Sequence, residues 1–273
     1  TPLDPEKFKE ILEKDDKKEI KAVILTHSET STGVINDLKT ISSYIRNHKK
    51  SLSIIDCVTS IGACNVPVDE WELDIVASGS QKGYMIPPGL SFVSMSEKAW
   101  EASEKSDLPK FYLNLKSYKK SLLNNSNPYT PAVNLIFALD ESLKMMKDEG
   151  LNKIFQKHER HKLAVSEAAK KLNLKLFADA NHLSPSVTAI QIEGIDAEKF
   201  RKTIKNKYDI LLAGGQDHLK GKIFRVGHLG YVNDRDIIAV IAAIGDTLVE
   251  ENLISTEESG EALKIASNLL KEK

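Results

Sequence analysis

Cysteine is scarce. Cys57 and Cys64 are the only two in 273 residues, too few for a disulfide framework or a repeated CxxC metal pattern, and a reducing, cytosolic setting is expected. No run of about 18 apolar residues occurs, so no membrane-crossing helix is expected. Neither sign of charge is in excess. Lysine plus arginine number 38 against 39 aspartates and glutamates, and without a basic footprint neither nucleic acid nor an acidic membrane is an expected partner. Arginine itself stands only at 46, 160, 201, 225 and 235, which singles out Arg225 inside the apolar stretch IFRVGHLG. Repeats and low-complexity tracts are missing as well. Apolar side chains are not: at 41% of the chain they suffice for one large domain or two ordinary ones.

Short apolar runs alternate with helical patterns through the first hundred residues. KAVILTH (21–27), SLSIIDC (51–57), LDIVASGS (73–80) and LSFVSMS (90–96) read as strands, and STGVINDLKTISSYIRNHKK carries a helical apolar face at 34, 35, 38, 41 and 45. Strand, helix, strand at this spacing predicts an α/β fold with a mostly parallel sheet, whose ligands bind beyond the carboxyl ends of the strands. Those ends carry Thr26 and His27, Asp56, and Ser78 to Lys82. From Ala132 the pattern becomes long and helical, and strands near SVTAIQIE and KIFRVGHL with helices near 196–206, 234–249 and 257–272 predict a smaller α/β domain. The expected division is 1–131, a connecting helical stretch 132–160, and 161–273, ending in a solvated KEK tail.

A lysine at a strand's carboxyl end can act as a nucleophilic amine toward a carbonyl, or simply snorkel from a sheet edge. Asp56 ends a neighbouring strand. A carboxylate facing such a lysine is what pyridoxal phosphate chemistry needs, although an aspartate there also serves as a turn former or helix cap. In SETSTG (28–33) the hydroxyls read either as an N-cap or, through Thr30 or Ser31, as cofactor contacts. Ser80 and Gln81 are candidate phosphate donors. Arg225 has the fork that grips a carboxylate, as substrate or in an internal salt bridge. His27, His158, His161 and His228 lack a matching acidic or thiol cluster and read as structural or solvated.

With these residues in place, the chain resembles the class V aminotransferases of pyridoxal phosphate fold type I, in particular the alanine:glyoxylate and serine:pyruvate or serine:glyoxylate branch. The matching stretches run in order: LTHSETSTGV (25–34), DCVTSIGA (56–63), SGSQKGYMIPPG (78–89), FYLNLK (111–116), YTPAVNLIFAL (129–139) and FRVGHLG (224–230). The resemblance implies that Lys82 holds pyridoxal 5'-phosphate as a Schiff base and shuttles the substrate proton. Asp56 would pair with the pyridine nitrogen, Val58 would pack on the ring, and Thr30 would bond its ring oxygen. Gln81 would contact the phosphate, Thr130 the phosphate of a partner subunit in a homodimer, and Arg225 the substrate carboxylate. The implied reaction moves an amino group from a small amino acid such as alanine or serine to glyoxylate or pyruvate.

Family members are longer, and the phosphate-binding turn and ring-stacking aromatic that precede THSETSTGV in them have no counterpart here: no glycine precedes Gly33, and the one aromatic before Thr26 is Phe8. The large domain is therefore expected to lack an N-terminal portion. Two other readings stand beside the aminotransferase: a class V desulfurase or lyase, which needs a reactive cysteine, and an inactive dimerising or scaffold module.

Overall fold

The computed structural model describes residues 1–271, so Glu272 and Lys273 of the KEK tail lie outside the described residues. Helix α1 (Pro5–Glu13) opens on Asp4, whose side chain accepts the Glu6 N–H, with proline in its first turn where no donor is lost. Strand β1 (Ala22–Thr26) leads into a hairpin of two short strands, β2 (Ser28–Glu29) and β3 (Val34–Ile35). Helix α2 (Leu38–His48) follows, then β4 (Leu52–Asp56), β5 (Ile75–Gly79) and β6 (Ser91–Met95). These four longer strands form one sheet in the order β1-β4-β5-β6, in which the first three are parallel and β6 runs antiparallel to β5.

One face of this sheet is dry. Leu25, Ile55 and Val76 pack with Leu12 of α1 and with Leu38, Ile41 and Ile45 of α2. The alternate residues point the other way, and there Ile24 is 75% exposed and Val93 46% exposed, as the period of two along each strand requires. The helix expected over STGVINDLKT begins only at Leu38. Asp37, not a hydroxyl of SETSTG, is its cap, accepting the Thr40 N–H at 3.0 Å. Gly33 closes the hairpin at φ +69°, a conformation open to glycine.

The chain continues through α3 (Glu97–Glu104), α4 (Leu115–Leu122), α5 (Val133–Glu149) and α6 (Leu151–Lys171). Then come β7 (Lys175–Leu176), β8 (Val187–Gln191), α7 (Ala197–Tyr208), β9 (Ala213–Gly214), β10 (Ile223–Gly227), α8 (Asp234–Glu250) and α9 (Thr256–Lys271). The second sheet, β7-β8-β10-β9, is antiparallel throughout. Its core joins Ile190, Phe224 and Val226 to Ala164, Val165 and Ala168 of α6 and to Ile237, Ile241 and Ile244 of α8. Helix α6 thus runs unbroken past residue 160 and seats its second half in the core of the smaller sheet.

Candidate active site

Thr26, Asp56 and Ala77 stand in one register row across β1, β4 and β5, so the three polar strand ends read from the sequence meet at one carboxyl edge. The Asp56 carboxylate is exposed and accepts the Val58 N–H at 2.9 Å, so it does form a turn, and this turn bends the chain off the strand beneath half-buried Val58. The next residue, Thr59, is 5% exposed and shares a hydrogen bond with the Thr30 hydroxyl at 2.7 Å. The hairpin that carries Thr30 is thereby pinned to the loop after Asp56.

The lysine turn is held by its backbone. The Lys82 carbonyl accepts the Met85 N–H at 3.0 Å, with Met85 at φ +59°. Ser80, a candidate phosphate donor in the sequence, is fully buried, and its hydroxyl donates to Pro87 O at 2.8 Å while accepting the Leu90 N–H at 3.2 Å. That hydroxyl is spent on closing the GYMIPPG loop. Gln81 is exposed and Lys82 half-buried. Gly83 lies so close to the loop after Asp56 that a Cβ on it would stand 2.1 Å from Ile61 O and 2.8 Å from the Cα of Gly62. Two glycines therefore let the lysine turn and the aspartate loop touch backbone to backbone.

Arg225 reaches this edge from the second sheet. It is 7% exposed on β10, and the internal salt bridge open to it in the sequence does not form among the described residues. Instead Nε donates to Gly214 O and Nη1 to Thr30 O, both at 2.8 Å. Carbonyls orient the guanidinium without neutralising it; burial and the neighbouring Arg201 push its pKa down, against the pull of Glu29. Further bonds fasten the hairpin to the loop that leads into β8: Ser28 Oγ to Ser184 Oγ at 2.8 Å and Ser184 N–H to Gly33 O at 2.9 Å. Thr30 is thus a junction, with its hydroxyl on the aspartate loop and its carbonyl on Arg225.

Not every candidate joins this group. Thr130 is exposed on the loop before α5, and no hydrogen bond links it to the others among the described residues. Ser31 turns back to Glu29, its hydroxyl donating to Oε1 at 2.7 Å. The four histidines are buried, not solvated: His27 is 4% exposed, His158 2%, and His161 and His228 0%. Burial pushes the Cys57 thiol up to about 11 and the Cys64 thiol up to about 12. Thr59, Gly62, Gly83 and Gly230 escaped the sequence reading; each sits in a quoted motif, yet its role depends on a contact from a distant part of the chain.

Residues 3–229 match a family model described as Aminotransferase class-V. The "Soluble hydrogenase 42 kDa subunit" of Anabaena cylindrica is 56% identical over 270 residues, 98% of this chain and 70% of that protein. An "L-aspartate--glyoxylate aminotransferase" of Paracoccus denitrificans is 39% identical over 240 residues, 87% of this chain and 61% of that protein. The crystal structure of ureidoglycine-glyoxylate aminotransferase from Bacillus subtilis superposes with a TM-score of 0.90 at 31% identity, covering 99% of this chain and 70% of that one. The chain spans roughly two thirds of the length of the proteins it matches.

Proposed function

The chain belongs to the class-V aminotransferase family, whose fold goes with pyridoxal phosphate, and from that premise we propose that it moves an amino group from alanine or serine to a 2-oxo acid such as glyoxylate or pyruvate, with Lys82 as the catalytic amine. The observation that carries this reading is the meeting of the Asp56 strand end, the Lys82 turn and Arg225 at one edge, tied through Thr30 and the Gly62–Gly83 contact. The donor set suits the cofactor: an amine for its aldehyde, a carboxylate for its ring nitrogen and hydroxyls for its ring oxygen. Ser78 Oγ, buried just before the lysine turn and without a hydrogen-bond partner among the described residues, is a further polar atom at that strand end. When bound, pyridoxal phosphate supplies an electron sink for the bond broken at the substrate Cα.

The protein's own groups do the rest. Lys82 holds the cofactor and carries the proton removed from Cα. Asp56 keeps a proton on the ring nitrogen. Val58 packs on the ring, Thr30 bonds its oxygen, Gln81 contacts the phosphate, and Thr130 serves the cofactor of a partner subunit in a homodimer. Arg225 grips the substrate carboxylate: its orientation is set by Gly214 O and Thr30 O, and Nη2, which has no partner among the described residues, completes a fork. On this reading residues 1–131 supply the cofactor side and 161–273 the substrate side. A desulfurase is disfavoured by its thiols, since Cys57 is fully buried and both are held protonated.

The test is glycine formation by the holoenzyme from glyoxylate with alanine or serine as donor, repeated with Arg225→Lys. A lysine keeps the charge but loses the fork, and the donor KM should rise about tenfold or more, the worth of one charge-assisted hydrogen bond. Absence of glycine with every small amino donor, or an Arg225→Lys enzyme with unchanged KM, would contradict the assignment.

A further inference from the structure

Three histidines gather where α6 passes the end of β10. His158 donates from Nδ1 to Ile154 O, one turn back, at 2.7 Å; a carbonyl can only accept, so Nε2 is left as an acceptor. That lone pair receives the Gly230 N–H at 3.2 Å. His228 is arranged the same way, with Nδ1 on Pro185 O at 3.0 Å and Nε2 accepting the Thr188 hydroxyl at 2.9 Å. His161 instead directs Nε2 to Asp234 Oδ1 at 2.9 Å. Of the three, His158 holds the residue that touches the lysine turn.

Gly230 has φ +85°, and a Cβ on it would stand 3.2 Å from Lys82 O and 3.6 Å from Met85 Cγ. The same Lys82 carbonyl closes the turn on Met85. Arg225 lies five residues upstream of Gly230, on β10. Gly230 is therefore where the chain leaving the arginine strand meets the turn that bears the lysine, and its amide is tethered to α6, which is anchored by its second half in the other core.

We propose that His158 is a positioning residue for transamination: through Gly230 it sets the separation between the Lys82 amine and the Arg225 guanidinium. The inference rests on the roles given to those two residues above. Both ends must be placed for a substrate carboxylate held by Arg225 to present its Cα to Lys82, and a misplacement of about 1 Å can cost about 100-fold in rate. A neutral imidazole suits the task because it offers one donor and one acceptor in a fixed plane, between a helix carbonyl and a loop amide that would otherwise be buried unpaired.

His158→Gln and His158→Leu separate positioning from packing. The glutamine amide oxygen reaches near the place of Nε2 and can accept the Gly230 N–H; leucine cannot. Three quantities are read: Tm, kcat and donor KM of the holoenzyme, and the rate at which acetic anhydride acylates Lys82 in the cofactor-free protein, mapped by peptide mass. Leucine should lower kcat by about tenfold or more, with donor KM changed less than about threefold, and should alter the Lys82 acylation rate. Glutamine should restore both. If both variants match the wild type, or both lose activity in step with Tm, the positioning role is overturned. If the wild type transfers no amine at all, the functional reading fails instead. The acylation rates then decide alone: equal rates in wild type and leucine variant reject the tether, and a change reversed by glutamine supports it.

Discussion

Replacing Lys82 with alanine is expected to leave the melting temperature within a few degrees of the wild type while lowering turnover by on the order of 10²- to 10⁴-fold, the usual contribution of a positioned proton carrier. The fold should survive because the turn is held by groups that alanine keeps. The Lys82 carbonyl bonds Met85, Ser80 closes the loop through Pro87 and Leu90, and Gly83 abuts Ile61 and Gly62. None of these contacts uses the lysine side chain. Arg225 does not replace the amine, since it is bound to two carbonyls and keeps its proton. The comparison requires steady-state rates with alanine and glyoxylate beside circular-dichroism melts. A variant that kept more than a tenth of the activity would show that another group handles the proton.

The second large effect is on stability against acid. His27, His158 and His228 are 4%, 2% and 0% exposed, and burial pushes their pKa values down to about 4, about 4 and about 3. His161 is lowered as well, against the pull of Asp234. In the unfolded chain each returns to about 6.5. Between that value and the folded one the unfolded state binds more protons, so stability rises with pH there. It is complete above about pH 6.5 and is lost as pH falls toward 4. Each of the three contributes about 2 kcal/mol between pH 6.5 and 5, together on the order of the whole stability of an ordinary domain. Urea midpoints measured at constant ionic strength should therefore fall steeply from pH 7 to pH 5. A midpoint unchanged over that range would mean that the imidazoles are not held neutral.

Much of the framework was legible in the sequence because it depends on local pattern. Apolar runs rich in isoleucine and valine read as strands, although only one face of their sheet is dry, and the polar residues that end them do stand together at one carboxyl edge. Strand direction was not legible: LSFVSMS looks the same whether β6 runs parallel or antiparallel. SETSTG misled for a related reason, since hydroxyls before a helical pattern resemble a cap, whereas Gly33, at positive φ, lies against the backbone of β8 and takes a bond from Ser184 in the loop before it. Arg225 could be singled out by its rarity, but its carbonyl partner at Thr30 lies 195 residues away. His158 presented only a histidine on a charged helix. Its meaning rests on the Gly230 amide, 72 residues distant.

The family membership leaves one claim on which the functional reading turns, that the amine of Lys82 is the one that holds the cofactor. Borohydride reduction of the holoenzyme followed by proteolysis and peptide mass mapping tests it most directly. The expected result is a single pyridoxyl-phosphate mass on the peptide containing Ser80-Gln81-Lys82-Gly83, with digestion blocked at Lys82. Label fixed on a different lysine, or the same yield of label on a Lys82→Ala protein, would contradict it.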